Sequence, residues 1–472
     1  SLCRLTYHGF NALQLIDPKG AHPLDKKRRG MSVGEGAAFL MLDSGIDRAG
    51  TVALLGGGLS CDAYHPTAPH PEGAGAHAAM TDALTDAGLT YETIDYINLH
   101  GTGTKDNDLS EARAVGDLFE NRPPLHSSIK GATGHCLAAA GAVEAVVAAG
   151  CVHDQWIPGN VGLTTHDPAI NLSPVMEAKS ASVKAVLSNS LGFGGNNAAL
   201  VIGESCLGER LTSVGTFRGS VPLTVVGSAC ITGAGHTDET YHRFATGKNC
   251  TGTLSSDQTV RNLSKRDVRR LQRLPCLTLA LAKQAQHDNN APLKINSIFM
   301  GTGWGALSET HRFLTRLFET DEKFPSPTDF IGSVHNAPAG QAAIMLGATG
   351  ANITTTGGDV SLEQALMTAG LCCEKNKAAL IIGADEAHED FSPLLDGSVK
   401  KCGSLSDGGG ALLIRPESRK GSISIALTHY EPADDKENAI NRLIQSLVTI
   451  DRIHSRFGFV LSGITAAHRS HG

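Results

Sequence analysis

The stretch Ile94-Asp95-Tyr96-Ile97-Asn98-Leu99-His100-Gly101-Thr102-Gly103-Thr104 opens as an apolar strand and ends in a polar loop, where glycine follows the histidine. A second loop of the same kind is Lys130-Gly131-Ala132-Thr133-Gly134-His135, its histidine 35 residues after the first. Such loops present a side chain from a rigid scaffold to a substrate. Working outward, short apolar strands alternate with helices. Residues 37–42 and 52–55 read as buried strands, 77–87 as a helix, 94–99 as a strand and 137–152 as a long Ala/Val helix. Residues 183–187 and 198–202 read as strands again. Strands alternating with helices predict an α/β layered fold.

Around 208–222 the pattern lapses into polar and Gly/Ser residues, the composition of a linker. A second α/β stretch then starts at Leu223-Thr224-Val225-Val226-Gly227 and runs through strands at 297–301 and 379–383, with an Ala/Met helix near Ala343. An internal repeat links the two stretches. Gly30-Met31-Ser32-Val33-Gly34-Glu35-Gly36-Ala37 resembles Gly403-Ser404-Leu405-Ser406-Asp407-Gly408-Gly409-Gly410, an offset of 373 residues. In that register the chain holds the latter part of one module (1–207), a linker (208–222), and the earlier part of a second (223–472).

With 472 residues the chain exceeds one ordinary core. A net charge of −7 and no basic run longer than Lys26-Lys27-Arg28-Arg29 exclude a nucleic-acid footprint. The eleven cysteines are scattered with no Cys-x-x-Cys, which points to reduced thiols and not to a disulfide scaffold. No signal pattern is evident, and the longest apolar run, 137–151, is short and carries Glu144. It reads as a buried helix, with no membrane span, and cytoplasm is the expected location.

A neutral imidazole can donate to a developing oxyanion or accept a proton. Two of them on separate loops can converge on one carbonyl, and with a thiolate between them they suit thioester chemistry. Thr102 and Thr104 could hydrogen-bond an amide-rich arm reaching a thioester, and a Lys130–Glu144 ion pair would hold the second loop rigid. Blander readings stand beside these. A buried histidine is more often structural, and a metal site from His100 and His135 lacks signalled further ligands. His65, His70 and His77 have no ligand spacing. Gly301-Thr302-Gly303-Trp304-Gly305 lacks the full dinucleotide fingerprint, and there is no Gly-x-Ser-x-Gly elbow.

His100-Gly101-Thr102-Gly103-Thr104, Lys130 to His135, and Asn189-Ser190-Leu191-Gly192-Phe193-Gly194-Gly195-Asn196-Asn197, in this order, resemble the β-ketoacyl-ACP synthase family. Gly34-Glu35-Gly36 and Asp62-Ala63-Tyr64-His65 add to the resemblance, while Asn196 stands where the family usually has threonine. The resemblance implies a thiolase-like α/β/α/β/α fold of two similar halves, present here as partial modules. It implies acyl transfer to a cysteine, decarboxylation of a malonyl group on acyl carrier protein, and Claisen condensation of the two. By motif, His100 and His135 would be the catalytic histidines and Lys130 with Glu144 their supporting pair. Thr102 and Thr104 would line the pantetheine tunnel, and Phe193 would gate the acyl pocket. The implied partners are acyl carrier protein bearing phosphopantetheine-linked acyl and malonyl groups, and a synthase-like module in a dimer or pseudo-dimer. No cofactor or metal is implied.

The match fails at the nucleophile. The repeat register places the family's cysteine about 16 to 28 residues ahead of Ser1. In the second module, Thr355-Thr356-Gly357-Gly358-Asp359-Val360-Ser361-Leu362 sets Gly358 at the cysteine position and Ser462 opposite His100. Glycine cannot carry an acyl group. The reading is therefore an active-type module fused to a degenerate one, resembling the cysteine-less chain-length partners of type II polyketide systems. The alternative function is a non-catalytic acyl-binding partner. A permuted arrangement, with the two half-modules closing on each other, would set Gly358 opposite His100 and His135.

Overall fold

The computed structural model describes residues 3–43, 51–208, 222–287 apart from 262 and 270, 293–395, 405–417 and 423–425. The expected linker falls almost wholly outside them, as does Ser462.

The first sheet is built from β1 (Val52–Cys61), β2 (Tyr96–Asn98), β3 (Leu125–Ser127), β6 (Ala185–Gly192) and β7 (Asn196–Glu204), while β4 (Trp156–Ile157) and β5 (Lys179–Ser180) form a separate ribbon. Its order is β1-β7-β6-β2-β3. β1, β7 and β6 run antiparallel to one another, and β6, β2 and β3 run parallel. The first five residues of β6 are all buried, as expected of a strand covered on both faces. On one face lie the helices Ala74–Ala87 and Lys105–Leu118, on the other Ala140–Asp154. Close approach on the first face depends on glycine: a Cβ at Gly58 would sit 2.0 Å from the Ala79 carbonyl oxygen. The Ala140–Asp154 helix belongs to a stretch, Leu137–Asp154, that is long and apolar enough to cross a membrane by composition. Here it packs Ala145, Ala148, Cys151 and Val152 against Val186 and Ile202 of the sheet.

The second sheet contains β8 (Leu223–Thr232), β9 (Ile295–Gly301), β10 (Asn352–Thr355), β11 (Ala378–Asp385), β12 (Gly408–Pro416) and β13 (Ser424–Ile425), in the order β10-β9-β11-β12-β8-β13. Without the short edge strand β13, this repeats the first sheet in both order and sense. β8 takes the place of β1, β12 of β7, β11 of β6, β9 of β2 and β10 of β3. The helix Ser361–Cys372, which follows β10, matches Ala140–Asp154 after β3; Arg273–His287 and Ala337–Leu346 cover the opposite face. The two similar α/β halves are thus present, and the fold is thiolase-like.

One expected strand is absent. Residues 37–42 lie in irregular, exposed chain, with Phe39 at 92% and Met41 at 97% exposure. Their repeat counterpart lies in β12, paired on both sides by β11 and β8. The first sheet offers 37–42 no such pair of neighbours among the described residues, and a strand without a ladder leaves its backbone groups to water.

The halves meet edge to edge. Cys61 N–H donates to the Thr349 carbonyl at 3.0 Å, and Asn336 Nδ2 to that of Phe193 at 2.8 Å. From the N-terminal helix Arg4–Ala12, Phe10 packs on Phe330 (ring centroids 5.1 Å) and Phe193 (5.5 Å).

Candidate functional site

His100 follows β2 and His135 follows β3, so both sit at the carboxyl ends of neighbouring parallel strands. Ligand sites in open α/β sheets form at such ends. The two rings are 5.3 Å apart, centroid to centroid, and nearly perpendicular at 81°.

The backbone around each ring is tied down. Glu111, in the helix after the first loop, accepts the N–H groups of His100 and Gly101, each at 2.8 Å, and Asn189 Nδ2 at 3.1 Å. Ser128 Oγ donates to the Gly101 carbonyl at 2.7 Å. His135 N–H donates to the Ser32 carbonyl at 2.7 Å, and Gly34 N–H returns a bond to the His135 carbonyl at 3.0 Å. The glycine-rich segment that resembles part of β12 therefore braces the second loop.

Electrostatics fix the state of both rings. Burial, then the Lys130 ammonium, then His135, holds His100 well below the ordinary histidine range. Burial, followed by Lys130, brings His135 down to about 3. Both imidazoles are neutral near pH 7. Lys130 Nζ, with donors only, faces His100 Nδ1 at 3.2 Å, and Leu137 N–H donates to His135 Nδ1 at 3.1 Å. With Nδ1 accepting in each ring, the remaining proton belongs on Nε2. The pair offers two N–H donors to one space.

Lys130 is fully buried and also contacts the Glu144 carboxylate. Burial pushes Glu144 up while Lys130 pulls it down. Thr102 and Thr104 bring their hydroxyls within 2.9 Å of each other. Phe193 lies in a turn where Gly194 (φ 81°) and Gly195 (φ 76°) take left-handed backbone.

A cavity of about 1210 Å³ gathers His100, His135, Thr102, Thr104 and Phe193. Lys130 stands behind it. The second half closes the far wall with Phe330, Val334 and Asn352. Among the described residues no cysteine lines this cavity. Cys61, between the lining residues Ser60 and Asp62, is pushed up by burial and contacts the Gly194 carbonyl at 3.4 Å. Gly358 lines a different, smaller crevice with Asp385, Ser361 and Trp304. The two halves do close on each other around the histidine cavity, as the permuted arrangement expects, but Gly358 does not line that cavity with His100 and His135.

Sequence reading missed Glu111, Asp108 and Phe330. Asp108 is fully buried and accepts N–H groups of Leu24 (2.8 Å) and Gly103 (3.1 Å), with Arg28 Nε 3.5 Å away. The available signal was two acids three apart, Asp108 and Glu111, which share one face of a helix opening directly after the His100 loop.

The mixed α/β architecture with paired loop histidines is that of the thiolase-like class. Residues 52–164 match the family described as the β-ketoacyl synthase C-terminal domain, and 248–408 the β-ketoacyl synthase N-terminal domain, so that C-terminal-type sequence precedes N-terminal-type. The chain belongs to the β-ketoacyl synthase family. It is 40% identical over 194 residues to the chloroplastic 3-oxoacyl-[acyl-carrier-protein] synthase II of Arabidopsis thaliana, covering 39% of this chain and 36% of that protein. It is 41% identical over 208 residues to 3-oxoacyl-[acyl-carrier-protein] synthase 2 of Coxiella burnetii, covering 41% and 50%. The chain thus spans half or less of these two relatives. The solved structure of the PfaC keto synthase–chain length factor shares the fold, with a TM-score of 0.67 at 17% identity over 87% of this chain and 54% of that one.

Proposed function

We propose that the protein is the histidine-bearing part of a 3-oxoacyl-[acyl-carrier-protein] synthase, fused to part of a degenerate second module. The observation that carries this is the pair of neutral imidazoles presenting Nε2–H groups to one cavity. In the reaction, the bond between the malonyl carboxylate and its α-carbon breaks and carbon dioxide leaves. The electron pair moves to an enolate whose oxygen takes the hydrogen bonds of His100 and His135. The enolate carbon then attacks the acyl thioester, a carbon–carbon bond forms, and the thiolate leaves. The acyl-carrying thiol is not supplied by any described cysteine lining this cavity.

Lys130 and Glu144 position His100. Thr102 and Thr104 receive the phosphopantetheine arm of acyl carrier protein, and Phe193 gates the acyl end. Residues 1–207 form the latter part of the first module, 208–222 the linker and 223–472 the second module. The second module, with Gly358 at the nucleophile position, acts as a non-catalytic wall, and its Phe330 closes the acyl cavity. Among the described residues no two cysteines form a disulfide, which fits the reducing, cytoplasmic setting proposed here.

The test is condensation of acyl and malonyl groups on acyl carrier protein by the full-length parent, compared with its His135→Ala variant. Loss of product in the variant supports the reading, and unchanged turnover overturns it. The chain of 472 residues alone is expected to give no condensation product.

A further inference from the structure

Outside that cavity, the helix Leu307–Glu319 and the loop after β11 bring together two imidazoles and a carboxylate. The His311 and His388 rings are 4.4 Å apart, and His311 Nε2 lies 3.0 Å from Asp390 Oδ2. One donor atom from each of His311, His388 and Asp390 falls within 4.8 Å of the others, and among the described residues no other His, Cys, Asp or Glu group of three does this. We propose that His311, His388 and Asp390 form a binding site for a borderline divalent transition metal, Zn²⁺ or its relatives Co²⁺ and Ni²⁺.

The donor set selects the class of ion. Two neutral nitrogens and one carboxylate oxygen suit these metals, whereas Mg²⁺ and Ca²⁺ require mostly oxygen. Metal–ligand bonds of about 2.0 to 2.2 Å put tetrahedral donors roughly 3.4 Å apart. The His311–Asp390 contact is already inside that spacing, and small rotations of partly exposed side chains bring in His388.

The loop is held ready by its own bonds. His388 N–H donates to Ser392 Oγ at 2.9 Å, and Ser392 N–H to the His388 carbonyl at 3.0 Å. His388 Nδ1 accepts only long contacts, from the N–H groups of Asp390 (3.2 Å) and Phe391 (3.4 Å), so its lone pair is weakly engaged. A simple His311–Asp390 ion pair accounts for one imidazole; the second, stacked beside it, acquires a purpose as a ligand. Three protein donors leave the remaining coordination to water.

An ion here would clamp the helix to the β11 loop. That helix packs Phe313 and Leu317 against Phe330, the residue that closes the large cavity. The site thus braces the wall of the acyl cavity from outside.

The experiment titrates the full chain with Zn²⁺ against a chromophoric chelator, in wild type, His388→Ala, His311→Gln and Asp390→Asn. Cysteines bind zinc as well, so the difference between proteins is the readout. Wild type is expected to hold one more equivalent of Zn²⁺ than His388→Ala, and zinc is expected to raise Tm in wild type but not in that variant. Asp390→Asn, at an exposed position and matched in shape, is expected to keep the fold by circular dichroism and to lose at least tenfold in affinity. Equal stoichiometry and affinity in wild type, His311→Gln and Asp390→Asn overturns the site, whatever the folding of His388→Ala.

Discussion

Lys130 reaches His100 twice, donating to its backbone carbonyl at 2.6 Å and facing its Nδ1 at 3.2 Å. With Glu144 taking the third contact, the three protons of the ammonium are all placed. One buried cation therefore selects the tautomer of His100, anchors its loop, and depresses the protonation of both imidazoles.

Replacing that cation should uncouple these effects. Lys130→Met leaves Glu144 buried without its partner, for which about 3 to 5 kcal/mol of lost stability is expected in urea unfolding. In the fraction that stays folded, His100 should titrate at higher pH than in wild type, because a lowering charge is gone. An unchanged histidine titration by NMR would show that Lys130 does not set the ring's state.

His135 predicts a pH dependence of stability. Its folded value, about 3, lies below the ordinary 6.5, so between these the unfolded chain binds the extra proton. Stability from this group is complete above about pH 6.5 and is lost as pH falls towards 3. His135→Gln should flatten this part of the stability–pH curve. In NMR the His135 resonances of the wild type should show no midpoint near 6.5.

Phe330 tests the shared cavity. It is 2% exposed and packs against Phe10 of the opposite half and Phe313 of its own. Phe330→Ala should cost about 3 to 5 kcal/mol. Under the proposed condensation, the deeper cavity should favour longer acyl chains, read by mass spectrometry of the acyl carrier protein.

Gly358 tests the division between the halves. An added Cβ there meets nothing within 4 Å, but φ is +60°, so a side chain is accommodated at about 1 to 2 kcal/mol of backbone strain. Because Gly358 lines a separate crevice from His100 and His135, Gly358→Cys should confer no condensation. Acyl-dependent turnover in that variant would contradict the arrangement of the halves.

Much of the fold was legible because hydrophobic runs in β6, β9 and β11 are buried on both faces, a pattern that needs no tertiary information. The loop chemistry was equally local: glycine beside histidine announces a side chain on display. Residues 37–42 misled because their strand-like composition is meaningful only with neighbours to pair with. Glu111 was missed because its task, holding the His100 and Gly101 amides, depends on where the helix Lys105–Leu118 docks. Phe330 lies far beyond His135 in the chain, at a separation no motif spans; only the contact between halves brings it to the cavity.

The exposed run at 37–42 has a material consequence. Phe39, Met41 and Leu42 stand open to water in a segment that joins no strand among the described residues, a ready template for strand addition from another molecule. Handling of this chain in solution is therefore governed by concentration as much as by folding. A charge introduced at Phe39 or Met41 is the simplest means of keeping separate copies apart.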